Sequence, residues 1–519
     1  MRPWDGVWPA HVPRSLDYPA VPAWWLLERN VARFGERVAL RELDHQTLAV
    51  GRTLTYAALF RAVRGVAAGL RARGVSPGAR VALVLPNSAA LVIAYYATWY
   101  AGAAAVPIHA GAREAELAQH LADAAVSLVV APRGAATHAV AERLKLPVVD
   151  LDELRALEML PPAAPAPCEP ARDTAVLLYT GGTTGAPKGA MLSHRNLVAN
   201  AIQFAEWYAF EPGGETSVCA LPMSHSGGMS GVMNVPLSVA ATLLVFGRFS
   251  AATVARAVTT YRVTRLFGVP TMFIALLGDA EGRRADYGAL RACRTNAAPL
   301  PPSVKAAFDG LVGREVLIEG YGLTETSPLT HANPIGRARP GSIGVPLPDT
   351  DARIVDARGA DVTAGGTGEL LVRGPQLMLG YWNRPDETAR AIEGGWLHTG
   401  DVARMDPDGY FVIVDRQKDQ INTAGFKVWP REVEETLYAH PAVRVVGVVG
   451  VPDDYRGEAV TAYVVLKDEH RGRVDAAELV AFCRARLSGY KVPRAVEFRD
   501  DLPMSAAGKL LRRALRERQ

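Results

Sequence analysis

Apolar positions in the first third of the chain recur at helical spacing and then in short unbroken runs, the pattern of helices alternating with buried strands. Leu59, Val63, Val66 and Leu70 share one face of a helix that Thr55 can cap and Gly74 can end. A strand over 81–85 follows, then a helix over 89–101, a strand over 104–106, a helix from Glu114 and an apolar run over 127–130. This βαβ rhythm predicts a mostly parallel sheet covered on both faces. Proline and alanine over 161–170 interrupt it, and the stretch is read as a linker between two αβα subdomains, 1–160 and 173–340. The second carries strands over 241–246, 265–269 and 316–319. Over 341–415 helical periodicity fades into short strands and Gly, Pro and Asp turns, which predicts a small β-barrel or distorted sheet. Mixed α and β returns after Arg416, with helices over 430–438, 475–487 and 509–517 and strands over 445–449 and 459–466. The expected fold class is α/β: a large N-terminal domain, 1–416, and a small α+β C-terminal domain, 419–519.

Composition narrows the function classes. At 519 residues, 49% hydrophobic and 21% charged, the chain is globular and too long for a single core. Formal net charge is only +4 and the basic residues are dispersed, so nucleic acid is not an expected partner. Cys168, Cys219, Cys293 and Cys483 show neither metal-ligand spacing nor a disulfide framework, which fits a reducing cytoplasm. The start, Met1-Arg2-Pro3-Trp4-Asp5, lacks the pattern of a secretory signal. No charged residue lies between Arg80 and Arg113, and 89–108 is long enough to imitate a membrane span. Gly102 and Pro107 interrupt it and alanine is abundant, so a buried helix followed by a strand is expected and no integral membrane segment.

Chemistry concentrates first in Tyr179-Thr180-Gly181-Gly182-Thr183-Thr184-Gly185-Ala186-Pro187-Lys188-Gly189, which ends an apolar run. Its glycines let backbone approach a ligand closely, N–H groups and the threonine hydroxyls can converge on anionic oxygens, and Lys188 adds a cation. The P-loop of NTPases requires a Gly-Lys pair followed by Ser or Thr. Here Pro187 precedes Lys188 and Gly189 follows it, so that pattern fails. A bare Gly/Thr-rich loop is most often an ordinary connection. The full string, however, resembles the signature loop of the acyl-adenylate-forming (AMP-binding) enzyme superfamily, which includes acyl-CoA synthetases, luciferases and peptide-synthetase adenylation domains. The resemblance assigns Thr180, Gly181, Gly182, Thr183, Thr184, Gly185 and Lys188 to ATP, and Thr184 also to catalysis.

Further stations match that superfamily in order. Glu319-Gly320-Tyr321-Gly322-Leu323-Thr324-Glu325-Thr326 resembles its adenine and magnesium segment. This implies nucleotide contacts from Glu319, Gly320, Tyr321, Gly322 and Thr324, with Glu325 catalytic and offering a hard oxygen to Mg²⁺. A lone Gly-Tyr-Gly turn is usually structural. Ala297, Ala298 and Pro299 stand where many relatives have Gly-Gly-Ala-Pro, and the resemblance places them at the nucleotide. Asp401, in Thr399-Gly400-Asp401, and Arg416 resemble the ribose-binding pair; a turn aspartate and a surface ion pair are the plain alternatives. Lys418 occupies the hinge position, so the C-terminal domain would be a mobile lid. Gly425, Phe426 and Lys427 resemble the wall of the pantetheine tunnel, and Lys509 the adenylation lysine.

The chemistry shows why a lysine is wanted. A carboxylate must come within roughly 3.3 Å of the α-phosphate to react. At about 4 Å and an effective dielectric of about 20, two like unit charges repel by about 4 kcal/mol. A cation bridging both groups removes that repulsion.

The acyl group would meet Leu221-Pro222-Met223-Ser224-His225-Ser226-Gly227-Gly228-Met229-Ser230-Gly231, which resembles the segment ending in a histidine near the substrate carboxylate. Ser224 replaces the aromatic that commonly precedes it. His225, catalytic in this reading, would line the acyl pocket with Gly228, Met229, Met233 and Ala297; a core histidine is the alternative for His225. No charged side chain lies between Leu221 and Gly247, so neither a cation for a second carboxylate nor an anion for an ammonium group is present there. Together with 319–333, which looks most like fatty-acyl-CoA ligases, this points to an uncharged monocarboxylic acid, of medium or long chain.

The expected enzyme is an ATP- and Mg²⁺-dependent acyl-CoA synthetase with CoA as co-substrate. Carboxylate attacks the α-phosphate to give acyl-AMP and pyrophosphate, and CoA thiol then displaces AMP. An aryl or alicyclic acid–CoA ligase, or an acyl-AMP ligase loading a carrier-protein thiol, is the alternative. A non-catalytic nucleotide-binding relative is a third reading, against which Lys188, Glu325, Asp401, Arg416 and Lys509 together argue. A homodimer is compatible with the sequence and has no motif of its own.

Overall fold

The computed structural model describes residues 2–134, 136–180, 187–416, 419–423, 426–453, 456–505 and 508–516. Thr180 and Lys188 thus bracket the undescribed glycine loop. Gly181, Gly182, Thr183, Thr184 and Gly185, as well as Lys418 and Gly425, lie outside the described residues.

The helices form where local signals place them. Thr55 accepts a hydrogen bond from Ala58 N at 3.2 Å and opens the helix Tyr56–Ala72; Ser88 accepts from Leu91 N at 3.2 Å and opens Ala89–Tyr100. The second of these is apolar all round and is packed inside the core, the place for such a helix in a globular domain. Among the described residues no helix is long and apolar enough to cross a membrane.

Two sheets make the framework of the large domain. A seven-stranded sheet runs Gly380–Tyr381, Lys188–Ser193, Thr174–Thr180, Ala104–Pro107, Arg80–Leu83, Leu128–Val130 and Val148–Val149. A nine-stranded sheet runs Val345–Pro346, His331–Ala332, Leu317–Tyr321, Ala292–Thr295, Arg265–Gly268, Thr216–Cys219, Thr242–Phe246, Val38–Leu43 and Val50–Thr55. The sheets do not follow the division into 1–160 and 173–340. Val38–Leu43 and Val50–Thr55 join the nine-stranded sheet, while Thr174–Thr180 and Lys188–Ser193 join the strands of the first segment. Each strand pairs where its apolar faces can be covered, and chain order leaves that choice open.

The segment 161–170 contains no helix or strand and lies against the first layer, with Ala163 N and Ala166 N donating to the carbonyls of Arg64 and Tyr100 at 3.3 and 3.0 Å. Beyond it, Asp351–Val355, Thr367–Arg373, Trp396–Met405, Ile392–Glu393 and Phe411–Arg416 form an open antiparallel sheet. It is a half-barrel, in keeping with the barrel or distorted sheet that its turn-rich sequence predicts. The C-terminal residues build a separate five-stranded sheet with its own apolar core of Ile421, Val433, Leu437, Val448 and Leu479, on which the helices Pro430–Tyr438 and Ala476–Arg484 pack.

Candidate active site

Four neighbouring parallel strands, Thr216–Cys219, Arg265–Gly268, Ala292–Thr295 and Leu317–Tyr321, end on the same edge of the nine-stranded sheet. An open α/β sheet binds ligands beyond that edge. The segments that leave it are 220–231, 269–271, 296–299 and 322–326, which carry most of the sequence-selected residues. Two glycines are dictated by close approach. A Cβ on Gly322 would lie 1.6 Å from the Pro328 carbonyl oxygen, and one on Gly228 would lie 1.9 Å from that of Pro222. The turn at Asn296 and Ala297 differs: Ala297 holds φ +73°, a conformation that glycine adopts without strain, and is exposed together with Pro299 while Ala298 is half-buried.

At one end of this edge, two side chains converge on a carboxylate. Tyr321 O–H donates to Asp401 Oδ2 at 2.5 Å, and Arg416 Nε stands 3.0 Å from Asp401 Oδ1. Register explains the second contact, because Asp401 and Arg416 are cross-strand partners in Trp396–Met405 and Phe411–Arg416. Thr399 Oγ1 accepts from Asp401 N at 3.1 Å, and Gly400 takes φ +67° in the turn between them. Asp401 is buried, and its two oxygens retain lone pairs that a vicinal diol could use.

The next cluster joins the far side of the glycine loop to Glu325. Lys188 pairs with Glu387, and its Nζ lies 5.3 Å from the Tyr381 ring centroid. Tyr381 O–H donates in turn to Glu325 Oε1 at 2.8 Å. Thr180 faces Lys188 across the hairpin and donates Oγ1 to its carbonyl at 3.4 Å. Thr324 and Glu325 belong to the 3-10 turn Thr324–Thr326, anchored by Met378 N donating to the Glu325 carbonyl at 2.9 Å. Sequence reasoning missed Tyr381 and Glu387, which come from a strand and helix remote from the motifs they hold.

Glu319 sits deeper. One oxygen accepts from Leu300 N at 3.3 Å, the other has no partner, and burial pushes the carboxyl up to about 7, opposed by Arg431 of the C-terminal domain. Gly320 lies against a buried arginine, Arg294: its Cβ would stand 3.1 Å from Arg294 Nε.

The acyl segment forms the remaining wall. Gly227–Asn234 is helical, with Met229 and Met233 fully buried and Gly227 facing Asn296. His225 precedes this helix and accepts from Met229 N through its carbonyl at 2.8 Å. Its Nε2 is buried without a partner. Burial, aided by the charges of His109 and Lys509, holds the imidazole down to about 4, so it is neutral near pH 7. The absence of charge over 221–247 stands, yet a cation enters from outside that segment: Arg294, on Ala292–Thr295, which sequence reasoning passed over. The strand Ala292–Thr295 was not among those expected from the sequence, so nothing there marked Arg294.

Lys509 belongs to the C-terminal tail and reaches this region. Gly508, at φ +72°, abuts the large domain so closely that a Cβ would meet Val269 Cγ2 at 2.7 Å. Ser505 Oγ accepts from Lys509 N at 3.1 Å and shapes the turn. Phe426 and Lys427 lie apart from this edge, on the C-terminal sheet, where Phe426 is 54% exposed and stacks on Tyr490 at 4.8 Å.

Residues 27–382 match the family described as AMP-binding enzyme, and 432–509 match the AMP-binding enzyme C-terminal domain. A long-chain-fatty-acid–CoA ligase of Bacillus subtilis (strain 168) is 37% identical, the alignment covering all of this chain and 98% of the relative. A feruloyl-CoA synthase of Amycolatopsis sp. is 40% identical over 90% of this chain and 94% of its own. Among solved structures, ATP-bound MatB from Rhodopseudomonas palustris superposes with a TM-score of 0.87 at 31% identity, covering 96% of this chain and 99% of that one.

Proposed function

The chain belongs to the AMP-binding enzyme family and is an acyl-CoA synthetase, an acid–thiol ligase; from that premise we propose how its residues divide the work and which acid they take. The acid is a monocarboxylic acid, in first place a fatty acid of medium or long chain, activated as acyl-AMP and passed to CoA. Full-length likeness to a long-chain-fatty-acid–CoA ligase and the buried Met229 and Met233 support the aliphatic reading.

The observation that carries the division of work is the meeting of Lys509, from the C-terminal tail, with the edge that holds His225. Asp401 receives the ribose hydroxyls while Tyr321 and Arg416 hold it in place, so that little reorganisation is needed when nucleotide enters. Lys188 and Thr180 flank the triphosphate. Among the described residues no group of three or more His, Cys, Asp or Glu gathers as a metal site. Glu325 as single carboxylate therefore fits Mg²⁺, which is bound mainly by phosphate oxygens and water and would neutralise phosphate charge there. Lys509 lowers the repulsion between the incoming carboxylate and the α-phosphate. Neutral His225 can share a hydrogen bond with the acyl carboxylate without adding charge. Lys509 must then withdraw for a thiol to reach the acyl carbon, which assigns 417–418 as the hinge and Phe426 and Lys427 to the thiol's approach.

Acid-dependent pyrophosphate exchange and CoA-dependent AMP release, measured without any carrier protein, test this reading. Medium- and long-chain saturated acids are expected to give the highest kcat/KM in a panel that includes cinnamic and benzoic acids. Preference for an aromatic acid overturns the aliphatic assignment, and AMP release that ignores CoA overturns the acceptor.

A further inference from the structure

Two arginines on adjacent parallel strands of the nine-stranded sheet are both buried, and only one has a structural reason to be. Arg265 donates Nε and Nη2 to Glu215 at 3.1 and 2.8 Å, and its two terminal nitrogens reach the carbonyls of Tyr208 and Ala209 at 2.9 Å. Arg294 lies on the next strand, opposite Phe267, and is 3% exposed. It has the ring of Phe204 at 4.5 Å, but Nε and Nη2 are buried with no hydrogen-bond partner. Burial lowers its pKa to about 10, which leaves it cationic at neutral pH.

A buried cation with unmet donors costs stability, and an apolar side chain of similar volume would serve the fold as well or better. What surrounds the guanidinium says where an acceptor would come from. Gly231, in the helix that presents Met229 and Met233, leaves room beside it: a Cβ there would stand 3.7 Å from Nη1. Gly320, the residue before Tyr321, packs its backbone against the other side, where a Cβ would fall 3.1 Å from Nε, closer than an ordinary contact. Tyr208, whose hydroxyl is buried and equally without a partner, bears on the same guanidinium. Unmet donors therefore lie buried between the helix Gly227–Asn234 and the strand Leu317–Tyr321, where glycine at 231 and 320 lets both backbones come close to the guanidinium.

Resting on the acyl-CoA synthetase reading and refining its substrate class, we propose that Arg294 determines acyl specificity by binding a neutral oxygen acceptor carried by the acyl group at a distance from the reacting carboxyl. An acid of this kind satisfies the buried donors, whereas a plain hydrocarbon tail leaves them unmet, and a hydrogen bond to a charged group discriminates more sharply than an extra methylene.

The test is pyrophosphate exchange with full-length protein and three acids matched in length, ending in methyl, hydroxyl and carboxylate. Wild type is expected to favour the hydroxyl-ended acid over the methyl-ended one by roughly 10- to 100-fold in kcat/KM, and preference for the carboxylate-ended acid over the hydroxyl-ended one overturns the neutral acceptor. Arg294→Met should erase that preference, keep activity on the methyl-ended acid within a few-fold, and unfold at no lower temperature than wild type. Should Arg294→Met not fold, Gly231→Ala, which keeps the cation and places a methyl in ordinary contact with Nη1 where an acceptor would stand, is expected to reduce the same preference. Preference of wild type for the methyl-ended acid, or an equal loss on all three acids in Arg294→Met, overturns the proposal. Exchange with none of the acids by wild type sinks the synthetase reading itself, and this proposal with it.

Discussion

The nucleotide end and the acyl end of the site handle polar groups in opposite ways. At the proposed nucleotide end, Asp401 is clamped by Tyr321 and Arg416, Lys188 by Glu387, and Glu325 by Tyr381. Around the acyl group, Nε2 of His225 and Nε and Nη2 of Arg294 are buried without partners. Groups that already hold one another keep their geometry before any ligand arrives, so on the proposed assignment the nucleotide end is pre-organised except at Glu319, whose second oxygen is buried without a partner. Groups left without partners reward only an occupant that supplies what they lack, so discrimination between acids resides at that end.

Removing a clamp should cost most. Asp401→Ala takes away the ribose acceptor and leaves Arg416 and Tyr321 without theirs. ATP affinity is expected to fall roughly 10²- to 10³-fold, read by calorimetric titration, if the lost charge-assisted hydrogen bonds are worth about 3–4 kcal/mol together. An unchanged affinity would remove the ribose assignment.

The pH dependence of stability separates the ends by sign. Burial raises Glu319 from 4.5 to about 7, so the unfolded chain loses this proton first. Its favourable contribution is fully present below 4.5 and is lost as pH rises to about 7, on the order of 3 kcal/mol in all. Asp415 adds to the same limb, raised by burial from 3.8 to about 6. His225 runs the other way: held down from 6.5 to about 4, it costs stability as pH falls through that interval. Denaturation followed from pH 4 to 8 should show Glu319→Gln gaining stability relative to wild type as pH rises from about 4.5 to about 7, and His225→Gln losing stability relative to wild type as pH rises from about 4 to about 6.5. Identical profiles for both variants would contradict the comparison.

Smaller effects sharpen it further. Tyr381→Phe removes only the hydroxyl that orients Glu325 and is expected to lower kcat/KM for ATP by about 10-fold, as for one hydrogen bond to a carboxylate. Ala297→Gly relieves the left-handed backbone at the acyl turn and should raise stability by about 1 kcal/mol, visible in denaturant midpoint. No gain there would mean that the surrounding turn already accommodates Ala297.

What was legible from sequence was mostly local. Thr55 caps the helix that begins after it, as its sequence predicts, because a cap acts within one turn. The helix Pro430–Tyr438 has the expected bounds, starting on a proline that fixes its first turn. Sheet membership was not legible, because Val38–Leu43 finds its partner in Thr242–Phe246, far along the chain. At the nucleotide end, the motifs supplied Tyr321, Asp401 and Arg416, and the structure joins them. Tyr381, 56 positions beyond Glu325, and Arg294, on a strand outside the acyl segment, came into view only with tertiary structure.

The most direct measurement separates the two half-reactions in Lys509→Ala. Acyl-AMP formation should fall roughly 10²- to 10³-fold, corresponding to about 3–4 kcal/mol, while CoA attack on supplied acyl-AMP stays near the wild-type rate. Equal loss in both half-reactions, or none in the first, would contradict a tail lysine that serves adenylation and then leaves.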